Sequence, residues 1–262
     1  MFSYEEYSQR YSRIAFERKS GVLEMRLHTN GGPLQWSDAI HTELVEAFYC
    51  VGQDTEVRVV ILTGTGHEFC NSVEPGSFEF DPSVPPVALD QVYREGKGFL
   101  NNLLNIRVPV ICAVNGAATA HSELALFNDI VLAADTTIFQ DNHLTYGIVP
   151  GDGIHIAYPI AFGMNRGRYL ALTGKAVTAQ QALDWGAVAE VIPLDKLRDR
   201  AWELALDLAQ RPVLALRYTR ELLTREIQRQ LQDNLAFGLA LEGFASGYGV
   251  WGHSSLHDKP KD

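Results

Sequence analysis

His143 and Asp152 lie nine positions apart around a Gly147-Ile148-Val149-Pro150-Gly151 turn, with Gly153 directly after. Such a turn can fold the chain back far enough for the two side chains to meet. An imidazole has an ordinary pKa of about 6.5, so it exchanges protons near neutral pH. A carboxylate beside it fixes the tautomer and stabilises the imidazolium that forms. The pair can therefore draw a proton from water. Asp152 can equally cap a helix beginning near Ile154, and the two roles are compatible.

Further polar groups could complete such a site. His121 stands in a turn before a helical stretch, with Glu123 two positions on. It is either a structural turn residue or a hydrogen-bond donor. Trp36 carries an indole with one donor and no acceptor, and serves either core packing or a polar contact. His41 follows it by five positions, so the two need not share a helix face, and its expected part is a supporting one. Glu242 interrupts the apolar run Leu239-Ala240-Leu241-Glu242-Gly243-Phe244, as a solvated helix position or as an acid in a pocket. Other chemistries find little support. No Gly-x-Ser-x-Gly elbow provides a nucleophilic serine, and the glycines form neither a dinucleotide fingerprint nor a phosphate loop. A zinc site is not expected, and neither is an organic cofactor.

The elements that must position these groups follow from hydrophobic periodicity. Ile14 to Arg18 and Val22 to His28 read as strands around a Lys19-Ser20-Gly21 turn. Ser37 or Asp38 can cap a helix that buries Ile40, Leu44, Ala47, Phe48 and Val51. Val57 to Leu62, Val110 to Val114 and Ile130 to Ala133 are continuous apolar runs, typical of strands buried on both faces. Pro75, Pro82, Pro85 and Pro86 mark an irregular connection before a helix over 87–104. Strand-then-helix units recur, which implies an α/β fold with parallel pairing. From about Asp195 the pattern is wholly helical, with helices expected over 197–210, 213–232 and 235–244. The tail from His253 to Asp262 is polar.

Composition narrows the function. The 262 residues are 46% hydrophobic and 21% charged, in the range of globular rather than disordered chains. A formal net charge of −10 argues against a nucleic-acid surface, which needs basic stripes. Cys50, Cys70 and Cys112 are an odd set without Cys-x-x-Cys spacing, as expected of reduced thiols. The first residues have neither a basic nor an apolar export region, and no apolar run has the length to span a bilayer. The expectation is a cytoplasmic protein with no membrane or nucleic-acid partner.

Several segments together resemble the crotonase (enoyl-CoA hydratase/isomerase) superfamily. They are Val59-Val60-Ile61-Leu62-Thr63-Gly64 with Phe69-Cys70, then Val110 to Gly116 with Glu123-Leu124-Ala125, Asp129 to Ala133, and Leu172-Thr173-Gly174 with Ala182, Gly186 and Val191. The resemblance implies an α/β spiral of ββα units over residues 1–195. It also implies a helical C-terminal section, 196–262, that builds a trimer, often paired into a hexamer. The departures are informative. His143 stands at a position where the family carries a catalytic Glu. Phe69-Cys70-Asn71-Ser72-Val73-Glu74 replaces Phe-Cys-Ala-Gly-Ala-Asp, and Ala120-His121-Ser122 replaces three glycines. Glycines there let backbone N–H groups approach a thioester oxygen; the bulkier His121 and Trp36 fill that space and offer side-chain donors instead.

This set of substitutions is similar to the β-diketone-hydrolase branch of the superfamily. The matching positions are Trp36, His41, His121, His143, Asp152 and Glu242, with Asn165 to Tyr169 further on. The branch implies water attack on one carbonyl of a 1,3-diketone and cleavage of the carbon–carbon bond to give a keto acid. His143, Asp152, His121 and Glu242 are then the catalytic set, Trp36 and His41 the substrate-binding set, and Glu123 a capping or structural acid. No cofactor is implied. The competing expectations are a CoA-thioester hydratase, isomerase or hydrolase, or a non-catalytic scaffold on the same fold.

Overall fold

Six strands form the main sheet, in the order Ile14–Lys19, Val22–Leu27, Val59–Gly64, Val110–Val114, Ile130–Ala134 and Glu190–Ile192. The computed structural model describes residues 3–77 and 86–251. The connection at Pro82 and Pro85 and the tail from His253 lie outside the described residues. The first two strands pair antiparallel around the expected turn, and the rest pair parallel. All residues of Val59–Gly64 and Val110–Val114 are buried, which is why their sequences are unbroken apolar runs rather than alternating ones. The strand expected over 57–62 begins two residues later, because the ladder with Val22–Leu27 runs from Val59 to Gly64. Val57 is buried ahead of it.

Each long central strand is followed by a short one. Glu68–Cys70, Ala117–Ala118 and Ile138–Phe139 line up in a second sheet, with Val177–Thr178 at its far edge. Gln35–Trp36 pairs parallel with Ser72–Val73 in a third. Helices then return the chain: Asp38–Gln53, Pro86–Asn105, Glu123–Leu126 and Ile154–Phe162. This repeated strand–strand–helix turn is the α/β spiral that the resemblance implied. Its functional consequence lies in the short strands. Trp36, His121 and His143 all sit at or just beyond their ends, so the second and third sheets gather residues far apart in the chain.

Two apolar layers cover the main sheet. The larger holds Trp36, Phe48, Phe69, Phe99, Phe139 and Tyr158 among its biggest side chains. On the other face, Leu197, Ala201, Ala205 and Ala209 of the Leu194–Ala209 helix pack on Val59, Ile61, Ile111 and Leu132. Their i, i+4 spacing puts them on one face, and alanine lets that face approach closely. Glu24 is buried beneath this helix. It accepts hydrogen bonds from Arg198 Nε at 2.9 Å and Trp202 Nε1 at 2.6 Å, the pairing that a buried carboxylate requires.

The two helices expected over 213–232 and 235–244 are one, Val213–Trp251. Nothing between them stops a helix: Asp233 and Asn234 are exposed, and Leu231, Leu235 and Leu239 continue one buried stripe. Gly238 costs helix propensity, about 1 kcal/mol relative to alanine, but serves the docking. Its backbone lies against Gly151 and the His155 ring so closely that a Cβ would collide with both. A Cβ on Gly151 would in turn strike the Gly238 carbonyl, and Glu242 Cβ at 2.9 Å. Replacing Gly238 with Ala is expected to lower stability by about 1–3 kcal/mol through overpacking. An unchanged midpoint in chemical denaturation would contradict this close helix–turn contact.

Candidate active site

Asp152 stands between two imidazoles. Its Oδ2 is 3.3 Å from His143 Nε2 and 3.2 Å from His121 Nδ1. These are ion-pair contacts without hydrogen-bond alignment, and both Asp152 oxygens are buried with no hydrogen-bond partner. Asp152 does not cap the following helix: Ile154–Phe162 starts from Gly153 with no side-chain cap. The carboxylate is turned toward the histidines instead. Gly153 allows this, because at φ +134° it occupies a backbone region unfavourable for side chains, and a Cβ there would meet Leu100 at 2.7 Å and Glu123 at 3.1 Å.

His143 opens a 3-10 turn, His143–Tyr146, that follows the short strand Ile138–Phe139. Asp141 Oδ1 lies 2.6 Å from its Nδ1. The carboxylate that fixes the ring through Nδ1 is thus Asp141, where the sequence led to Asp152; Asp152 meets the opposite nitrogen. Burial disfavours the imidazolium of His143. It is outweighed by the nearby charge of Asp152 and by the hydrogen bond to Asp141, and the pKa is pushed up to about 12. Asp152 is held well below the usual carboxylate range: burial opposes ionisation, but His143 and His121 more than compensate. His143 is therefore an imidazolium in the resting site, not the neutral ring expected from an unperturbed pKa.

His121 takes a left-handed backbone, φ 52°, which few residues other than glycine adopt. Its Nδ1 is 2.7 Å from Oε1 of the fully buried Glu123. Burial lowers its pKa, while Glu123 and Asp152 raise it to a net upward shift. Glu123 is itself shifted up, by burial and by the nearby charge of Asp152. Trp36 stacks on the His121 ring with centroids 3.7 Å apart, and its Nε1 is buried without a hydrogen-bond partner. His41 packs edge-on against Trp36 at 5.9 Å and is tied through Nδ1 to Glu95 at 3.0 Å. Phe99 lines both rings.

Glu242 comes from the C-terminal helix. One ligand-capable atom from each of His143, Asp152 and Glu242 lies within 4.8 Å of the others, and the same holds for His121, Glu123 and Asp152. Burial, then the charge of Asp152, pushes the Glu242 pKa up to about 8, so it is a neutral acid at pH 7. The pocket reading of this residue, rather than the solvated one, matches its position. The structure thus gathers His143, Asp152, His121, Glu242 and Trp36 at one point, with His41 one layer behind. Sequence reasoning missed Asp141, Glu95 and Phe99. Asp141, two residues before His143, was open to notice; Glu95 and Phe99 carry no local signal.

A buried cluster of acids and imidazoles with displaced pKa values is a common mark of a functional site. On this fold it defines a class. The enoyl-CoA hydratase/isomerase family model matches residues 17–243, and the chain belongs to that family. Among individual proteins, it is 47% identical to a β-diketone hydrolase from the cyanobacterium Anabaena sp. PCC 7120, whose structure was solved bound to (S)-3-oxocyclohexyl acetic acid. The two superpose with a TM-score of 0.89 over 92% of this chain and 96% of that one. The chain is also 34% identical, over 76% of both chains, to the 1,2-epoxyphenylacetyl-CoA isomerase of Escherichia coli K12. An enoyl-CoA hydratase/isomerase from Mycobacterium paratuberculosis shares the fold, with a TM-score of 0.85 at 23% identity over 91% of this chain and 95% of that one.

The charge state of His143 can be measured directly. Nitrogen-15 NMR is expected to find the ring doubly protonated at pH about 9, two to three units above where a free imidazole titrates. Asp152→Asn removes the leading upward influence and is expected to bring the titration down. A ring that is neutral at pH about 8 in the unaltered protein would contradict the ion-pair assignment.

Proposed function

We propose that the protein is a cofactor-independent β-diketone hydrolase, which adds water across a carbon–carbon bond between two carbonyls. The observation that carries this reading is the shared carboxylate: Asp152 between His143 and His121, with Asp141 fixing the first ring. The 47% identity to a β-diketone hydrolase over nearly the full length supports it. The CoA-thioester reading finds less support, because Trp36 and His121 stack on each other in place of the family's small residues.

The roles follow from position. His143 Nε2 removes a proton from water, and the hydroxide oxygen bonds to one carbonyl carbon. His121 and the unpartnered Trp36 indole donate to the oxyanion; one such donor contributes about 2.7–4 kcal/mol. When the tetrahedral centre collapses, the carbon–carbon electron pair moves onto the second carbonyl as an enolate. Glu242, neutral at pH 7, delivers the proton to the enolate carbon. The product is a keto acid, and His41 supports Trp36 from behind.

A protonated His143 cannot act as base, so the cluster must first lose a proton. Glu242 gives one up near pH 8. Coupled groups then share the deficit, and one of the resulting forms has His143 neutral and Glu242 protonated, as the reaction needs. Hydrolysis of a cyclic 1,3-diketone, followed by loss of its ultraviolet absorbance, is therefore expected to be faster at pH about 9 than at pH about 7, whereas an unperturbed His would already have levelled off. His143→Ala is expected to reduce turnover about 10²–10⁴-fold and to abolish the rising limb. Near-normal turnover by a folded His143→Ala protein, or turnover of crotonyl-CoA in place of the diketone, would sink the assignment.

The helical C-terminal section is read as an assembly surface. Leu214, Tyr218 and Leu222 recur at i, i+4 on the long helix and are exposed, as are Phe237, Leu241 and Phe244. Cyclic self-association is the usual way to cover such a surface. A trimer, or a pair of trimers, is expected in sedimentation at micromolar concentration; a monomer would contradict it.

A further inference from the structure

We propose that the cluster also takes up one divalent transition-metal ion of zinc type, held by His143 Nε2, Asp152 and Glu242, and that this ion silences the hydrolase. The three ligand atoms lie within 4.8 Å of one another. His143 Nε2 and Asp152 Oδ2, at 3.3 Å, already have the separation of two ligands on a tetrahedral ion, about 3.3 Å for bonds of about 2.0–2.1 Å.

Two independent features point to a ligand here. Asp152 is only 5% exposed, yet its Oδ1 is buried without a hydrogen-bond partner. Asp141, on the far nitrogen of His143 at 2.6 Å, completes the carboxylate–imidazole arrangement that orients metal-binding histidines. A divalent ion would replace the proton on Nε2 and the proton on Glu242, releasing both to solvent.

The choice of triad is specific. His121, Glu123 and Asp152 form an alternative group. There, however, Nδ1 of His121 is the atom already engaged by both carboxylates, and among the described residues no outer carboxylate orients the ring. His143 presents Nε2 inward with Nδ1 secured. Silencing follows because the ion occupies the lone pair that would otherwise accept the proton of water.

The binding claim stands on this geometry alone; the silencing claim rests on the hydrolase reading. The test is a Co²⁺ titration of chelator-treated full-length protein, followed by visible absorption and calorimetry. One ion per chain is expected, with His143→Ala abolishing the absorption band. Asp141→Asn is expected to weaken binding about 10–100-fold, with folding checked by circular dichroism, while His121→Ala retains the band. Loss of the band in His121→Ala with retention in His143→Ala, or no binding at millimolar Co²⁺, would overturn the site. The initial rate on a cyclic 1,3-diketone is expected to fall with the same midpoint as occupancy. A fully loaded protein with unchanged or raised rate would overturn the silencing. A protein inactive before any metal is added would instead count against the hydrolase reading.

Discussion

One carboxylate organises the site. Asp152 is almost wholly buried, and its charge is compensated by two imidazoles from separate turns of the spiral. Removing a charge from water costs several kcal/mol, which pairing must offset. The neighbouring groups adjust to this one charge. It raises His143 and His121, and it adds to the burial that shifts Glu242 and Glu123 upward. The proton inventory of the pocket is thus a single coupled quantity.

The surrounding shell restrains geometry more than it adds chemistry. The left-handed backbone at His121 is a conformation that costs energy and persists only where the structure enforces it. Here the stack with Trp36 and the bond to Glu123 provide that enforcement. Behind Trp36, His41 is anchored by Glu95, which also accepts from Thr42 and Gln91. A donor for a developing oxyanion acts only if it is already in position, and each candidate donor here is braced by a second ring or a buried acid.

The legibility of all this in the sequence was uneven. The buried strands were plain, because parallel pairing demands uninterrupted apolar runs such as Val59–Gly64. Periodicity divides the long helix at Asp233 and Asn234, whereas the buried stripe of Leu231, Leu235 and Leu239 carries it through. Candidate site residues were legible where they departed from a family pattern, as at His121 and His143. Their partners were not. The pairing of His143 with Asp141 depends on how the 3-10 turn directs the ring, and the contact of His41 with Glu95 joins helices 54 residues apart in sequence. The charge state of His143 could not be read from its type at all; it follows from which carboxylates surround it.

The contact between Gly151 and Gly238 bears on the order of assembly. The turn carrying Asp152 is synthesised before the long helix, together with both histidines. Glu242 reaches the pocket only when a helix 87 residues farther along docks through Gly238. Contacts of such sequence separation pay their loop-closure entropy before they return any stability, and form slowly. A nascent chain that has folded through its central strands therefore holds two imidazoles and a carboxylate without the acid that closes over them. Completion of the pocket is coupled to the docking of the long helix, so the apolar stripe that seats this helix also finishes the site.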